Sequence, residues 1–142
     1  MEHASQVVPA AVLVLPLLDL ERRDSPRVLG TIDAVRRQLS AGGPLLYRYP
    51  PGQDGLPGTE GAFLPCSFWL VQALAATGQL DDATSLFDDL IDRASPLGLY
   101  AEEMDPTSGR HLGNYPQALT HAAVVQAALA IDDARRASHG EH

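Results

Sequence analysis

The chain has 142 residues, is 45% hydrophobic and carries a formal net charge of -8. That is the length of one ordinary domain, and the apolar fraction is too high for a disordered chain. The acidic balance repels phosphate backbones and argues against nucleic acid as a partner.

Residues 4–20 read as a first helix, with Pro9 near its start and Pro16 kinking it. The apolar run within it is too short to span a bilayer and includes Asp19 near its end. Glu2 and no Lys or Arg precede it, which argues against a secretory signal. A helix apolar on most sides belongs to the inside of a larger protein. Ser25 then caps a second helix with Pro26 at its first position. Val28, Leu29, Ile32, Val35 and Leu39 recur at helical spacing until Gly42-Gly43-Pro44 stops the run. Residues 45–49 alternate loosely, as in a short strand, and residues 50–61 are dense in turn formers and make a long loop. The third helix covers residues 62–77, carries Phe63, Trp69, Leu70 and Leu74, and ends at Gly78. A fourth starts at Asp81 or Asp82 and runs to Ala94, with Asp81, Asp82, Asp88, Asp89 and Asp92 as a solvated face. A second long loop follows Leu97 and turns at Asp105-Pro106-Thr107-Ser108-Gly109. The fifth helix spans residues 116–131, and the tail beyond Asp132 is expected to be mobile.

This layout predicts an all-α fold of antiparallel helical hairpins, with two long loops on one face. Functional residues sit on such loops when a rigid scaffold holds them. The first loop offers Tyr47, Arg48, Tyr49, Asp54 and Glu60. The second offers Tyr100, Glu102, Glu103, Asp105, Arg110, His111, Asn114 and Tyr115. Carboxylates accept hydroxyl hydrogen bonds, Arg donates them, and aromatic rings cover the apolar faces of sugars, so the set suits a polyhydroxylated ligand. In an extended chain Glu102 and Glu103 point to opposite faces, so one would act while the other supports it. Taken alone, these loop carboxylates read more simply as a solvated pair. The five histidines form no recognisable metal-ligand pair, and His121 reads as a hydrogen-bonded core histidine. Cys66 lies in an apolar run and reads as a small core residue. It is the single cysteine, so no intrachain disulfide is possible, as suits a reducing compartment.

Three stretches together resemble glycoside hydrolase family 15. They are Leu46-Tyr47-Arg48-Tyr49 with Asp54-Gly55-Leu56-Pro57-Gly58, then Glu60-Gly61-Ala62-Phe63-Leu64-Pro65-Cys66-Ser67-Phe68-Trp69-Leu70-Val71, then Gly98-Leu99-Tyr100-Ala101-Glu102-Glu103-Met104-Asp105-Pro106 continuing through Gly113-Asn114-Tyr115-Pro116-Gln117-Ala118 to His121. The resemblance implies a toroid of helical hairpins, the (α/α)6 barrel. Residues 1–132 would form the C-terminal portion of its catalytic domain and residues 133–142 a mobile tail. It implies hydrolysis of an α-glucosidic bond with inversion, glucoamylase- or trehalase-like, in which one carboxylic acid protonates the leaving oxygen and a second carboxylate activates water. Glu102, in Ala101-Glu102-Glu103-Met104-Asp105, matches the general base, although Met104 stands where the family has an aromatic residue. Arg48 matches a sugar-contacting arginine. Tyr49, Glu60 and Glu103 would line the pocket.

The family's general acid lies upstream of the matched stretches, and residues 1–20 resemble nothing that carries it. The resemblance therefore implies a partial enzyme that is inactive alone. Five hairpin-forming helices do not close such a toroid, so their inner faces need the missing half of the barrel or self-association to cover them. The alternative is a non-catalytic helical module that binds carbohydrate or a partner. Trehalose, maltooligosaccharides and other α-glucosides stay open as ligands. No cofactor, metal or membrane partner is implied, and a cytoplasmic location is expected.

Overall fold

In a computed structural model of the chain, the described residues are 25–48 and 61–140. The expected first helix and most of the first loop, with Tyr49 and Glu60, lie outside them.

Helix α1 spans Pro26–Leu39. The Ser25 hydroxyl accepts the Val28 N–H at 3.1 Å, which satisfies one of the amides a helix start leaves unpaired. Val28, Ile32, Val35 and Leu39 form its buried stripe. The chain then doubles back as β1 (Ser40–Gly42) and β2 (Leu45–Leu46), an antiparallel pair. The buried Ser67 hydroxyl accepts the Leu46 N–H at 3.2 Å and ties this hairpin to the next helix.

Strand β3 (Ala62–Phe63) leads directly into helix α2, Leu64–Ala76. This corrects the expected helix start at residue 62. Ala62 and Phe63 pair instead with Met104 and Glu103 of β4, and that long-range ladder holds them extended. Eleven of the thirteen α2 residues are buried, so the helix has no water-facing side to speak of. It is the core of the molecule, packed between the helices on either side. Phe68 meets Phe87 and Tyr100 edge-on, with ring centroids 6.3 and 5.4 Å apart. Each fully buried side chain of this size contributes about 1.5–3 kcal/mol over an exposed one.

Helix α3 (Leu80–Asp92) is amphipathic and buries Ala83 and Leu90. The second loop carries two short strands, β4 (Glu103–Met104) and β5 (His111–Leu112), which complete a three-stranded antiparallel sheet in the order β3-β4-β5. Helix α4 runs from Ala118 to Ser138, so it continues beyond the expected end at residue 131 and takes in much of the segment read as a tail. Its buried residues are Thr120, Ala123, Ala127 and Ile131. On the opposite side Ala118, Ala122, Val125 and Leu129 make an exposed apolar stripe, with Val125 and Leu129 both 58% exposed. The fold class is all-α: four helices and a few very short strands among the described residues. None of these helices is long and apolar enough to cross a membrane.

Candidate active site

The small sheet holds the second loop across the N-terminal end of α2. Glu103 pairs with Phe63 on one side and Leu112 on the other, and the Leu64 N–H donates to the Glu102 carbonyl at 3.0 Å. Glu102 and Glu103 are therefore seated where α2 begins.

The two carboxylates turn to different neighbours. Glu102 lies over Gly113, where an added β-carbon would come within 3.2 Å of Oε2, and Asn114 Nδ2 donates weakly to that oxygen at 3.4 Å. Glu103 lies over Gly61, where an added β-carbon would meet Oε1 at 2.7 Å. Each glycine serves as a floor that only a missing side chain leaves open. Both acids are half-buried. Burial holds the Glu103 carboxyl above the usual carboxylate range, and the adjacent Glu102 adds to the effect; the Gly61 N–H and Arg48 pull the other way.

Arg48 belongs to the same cluster. Its guanidinium carbon lies 4.5 Å from the centre of the Phe63 ring, a cation–π placement, while its charge acts on both Glu103 and Cys66. Arg48 is thus brought to Glu103, which adjoins Glu102, whereas Tyr49 and Glu60 fall outside the described residues. Cys66 is fully buried, and its thiol is pushed up to about 12 by that burial, with Arg48 opposing. A thiol so reluctant to ionise is a poor nucleophile.

Thr120, which sequence reasoning passed over, supports this cluster from behind, together with His111 and Tyr100 of the second loop and His121, read from the sequence as a hydrogen-bonded core histidine. Thr120, buried on α4, donates its hydroxyl to the Ala101 carbonyl at 3.0 Å. His111 accepts the Ala101 N–H on Nδ1 and donates from Nε2 to the Arg93 carbonyl, both at 3.1 Å. His121 accepts the Tyr100 N–H at 3.1 Å. Tyr100 is buried between these imidazoles and Phe68 and donates its hydroxyl to the Leu90 carbonyl at 2.7 Å. Burial first, then the charge of Asp92, pushes that phenol to about 12. Nothing in the sequence distinguishes Thr120 from an ordinary core threonine, because its partner lies 19 residues away. Among the described residues no group of three or more His, Cys, Asp or Glu is placed to hold a metal. A cleft of about 650 Å³ opens at the other end of α2, between Ala75, Gly78, Ala134 and Ser138, away from these carboxylates.

The cluster thus offers a seated carboxylate, a second one of raised proton affinity, a guanidinium and open access from solvent. Such a set can take a proton from water and bind hydroxyl groups. The description Glycosyl hydrolases family 15 matches residues 2–129. A trehalase of Mycobacterium tuberculosis is 44% identical over 130 residues, covering 91% of this chain and 19% of the relative. A trehalase of Mycolicibacterium smegmatis is 42% identical over 130 residues, 91% of this chain and 20% of the relative. A trehalase of Thermoplasma volcanium is 37% identical over 132 residues, 93% of this chain and 21% of the relative. The chain therefore spans about a fifth of the length of the curated relatives it matches. No solved structure matches. By the extent of the match, the chain belongs to glycosyl hydrolase family 15.

Proposed function

We propose that the chain carries the general-base half of an inverting α-glucosidase site, with trehalose as the substrate and Glu102 as the base. The observation that carries the reading is the seating of Glu102: its carboxylate rests on Gly113 beside Asn114, and the adjoining Glu103 lies within the influence of Arg48. In this reading Glu102 takes a proton from water as that water attacks the anomeric carbon. Glu103 and Arg48 hold sugar hydroxyls, with Tyr49 and Glu60 as further lining residues. The leaving oxygen must be protonated by a second carboxyl about 6.5–9.5 Å away, on the far side of the bond. Glu103 directly follows Glu102 and turns to Gly61, which does not suit that role. The acid would come from the remainder of an (α/α)6 toroid, and the exposed apolar stripe of α4 would pack against that remainder or against a second copy. The trehalase relatives, each far longer than this chain, support both the substrate and the need for a remainder.

The test is a chimera in which this chain replaces the matching fifth of the M. tuberculosis relative, assayed for glucose release from trehalose beside the chain alone. The expected result is turnover by the chimera, none by the chain alone, and a loss of about 10²–10⁴-fold in the Glu102→Gln chimera. Turnover by the chain alone would sink the half-site reading. An active Glu102→Gln chimera would remove Glu102 from the chemistry. Sugar binding without turnover in any form would favour a non-catalytic carbohydrate-binding module.

A further inference from the structure

The backbone on which Glu102 is mounted is held at every polar atom. The Ala101 N–H goes to His111 Nδ1 at 3.1 Å and its carbonyl accepts from Thr120 Oγ1 at 3.0 Å. The Glu102 N–H goes to the Asn114 carbonyl at 2.9 Å, and its own carbonyl accepts from Leu64 N–H at 3.0 Å. These partners come from β5, α4, the turn after β5 and the start of α2. Neither residue lies in a strand, and Ala101 has no backbone partner for either of its polar groups among these bonds. It is fully buried, so losing either side-chain bond would strand a polar group away from water.

From this arrangement we infer that His111 and Thr120 are positioning residues that fix Glu102, acting through the backbone of Ala101. His111 does so in one tautomer. Nδ1 must be bare to accept from Ala101, and Nε2 must carry the hydrogen that goes to the Arg93 carbonyl. The ring is held in that orientation between Tyr100 and Tyr115, at centroid distances of 6.1 and 5.8 Å. Thr120 has no exposure, and its hydroxyl reaches Ala101 from the buried face of α4. Neither residue touches the proposed reacting atoms. The inference rests on reading Glu102 as the base, but its geometry stands on the chain alone.

The test separates the two nitrogens of the imidazole. In His111→Asn the amide oxygen takes the place of Nδ1, and the bond to Arg93 is lost. In His111→Gln the amide nitrogen reaches the place of Nε2, and the acceptor for Ala101 is lost. NMR on the full 142-residue chain would follow amide hydrogen exchange at Ala101, the shift of the Glu102 carboxyl carbon, and global melting. His111→Gln is expected to speed exchange at Ala101 by about tenfold relative to melting-matched controls, and to move the Glu102 carboxyl signal. His111→Asn is expected to keep both near wild type even where its melting temperature falls. Thr120→Val, which preserves shape, should disturb Glu102, and Thr120→Ser should restore it. Asn and Gln variants that behave alike, or site signals that simply follow global melting, would overturn the proposal. An active Glu102→Gln chimera with this pattern intact would count against the reading of Glu102 as base and not against the clamp.

Discussion

Helices α2 and α3 are each thirteen residues long, lie next to each other in the chain and pack together, yet they are held by different forces. Helix α2 is buried along almost its whole surface. Helix α3 buries Ala83 and Leu90 and turns its acidic residues outward, with Arg36 of α1 pairing Asp82 at 3.1 Å and Arg93 pairing Asp89 at 3.1 Å. The difference shows that the site stands on a helix fixed by packing, while the neighbouring helix is a cover. Hydrophobic burial gives α2 its place; exposed ion pairs give α3 little.

Substitution can break this contrast. Leu74→Ala on α2, at a fully buried position, is expected to lower unfolding stability by about 2–5 kcal/mol, read by urea melts. Ile91→Ala on α3, at a position 41% exposed, should stay within about 0.5 kcal/mol of wild type. Similar losses at the two positions would show that α3 is as much core as α2.

A smaller effect sharpens the picture at the N-terminal end of α2. Glu103 has its carboxyl raised by burial and by Glu102, so the folded state keeps that proton to higher pH than the unfolded chain does. The stability this supplies is present below the unfolded value of about 4.3 and is lost as pH rises through the raised folded value. Glu103→Gln keeps an oxygen for the Gly61 N–H and removes the titration. Its melting temperature should gain on wild type as pH rises from about 4 to neutrality. Parallel melting curves would mean that Glu103 ionises freely in the fold.

The rim carries surface charge alone. Asp82→Asn, which removes the exposed pair between α1 and α3, should change stability by no more than about 1 kcal/mol in the same melts. A larger loss would give surface charge a share in seating α3 that its exposure argues against.

Much of this organisation was legible before any coordinates. Ser25 and Pro26 mark the start of α1 because capping is a local event, written in adjacent residues. The start of α2 was not legible in that way. Phe63 offers no capping side chain, and the extended form of Ala62 and Phe63 is imposed by β4, some forty residues on. Two-residue strands carry no periodicity, so β3-β4-β5 left no trace in the pattern of residues. The end of α4 was placed early, at residue 131, yet Asp132 pairs with Arg136 one turn later and the helix continues to Ser138. At the site, Glu102 stood out through its motif, whereas Thr120 became visible only when α4 brought it to the Ala101 carbonyl.

The bond from the Leu64 N–H to the Glu102 carbonyl makes the central helix and the second loop depend on each other. The first amide of α2 is satisfied by the residue just before β4, the proposed base itself, and not by a side chain at the helix's own N-cap. A change that frees either the Leu64 N–H or the Glu102 carbonyl therefore disturbs the opening turn of the central helix and the mounting of Glu102 together.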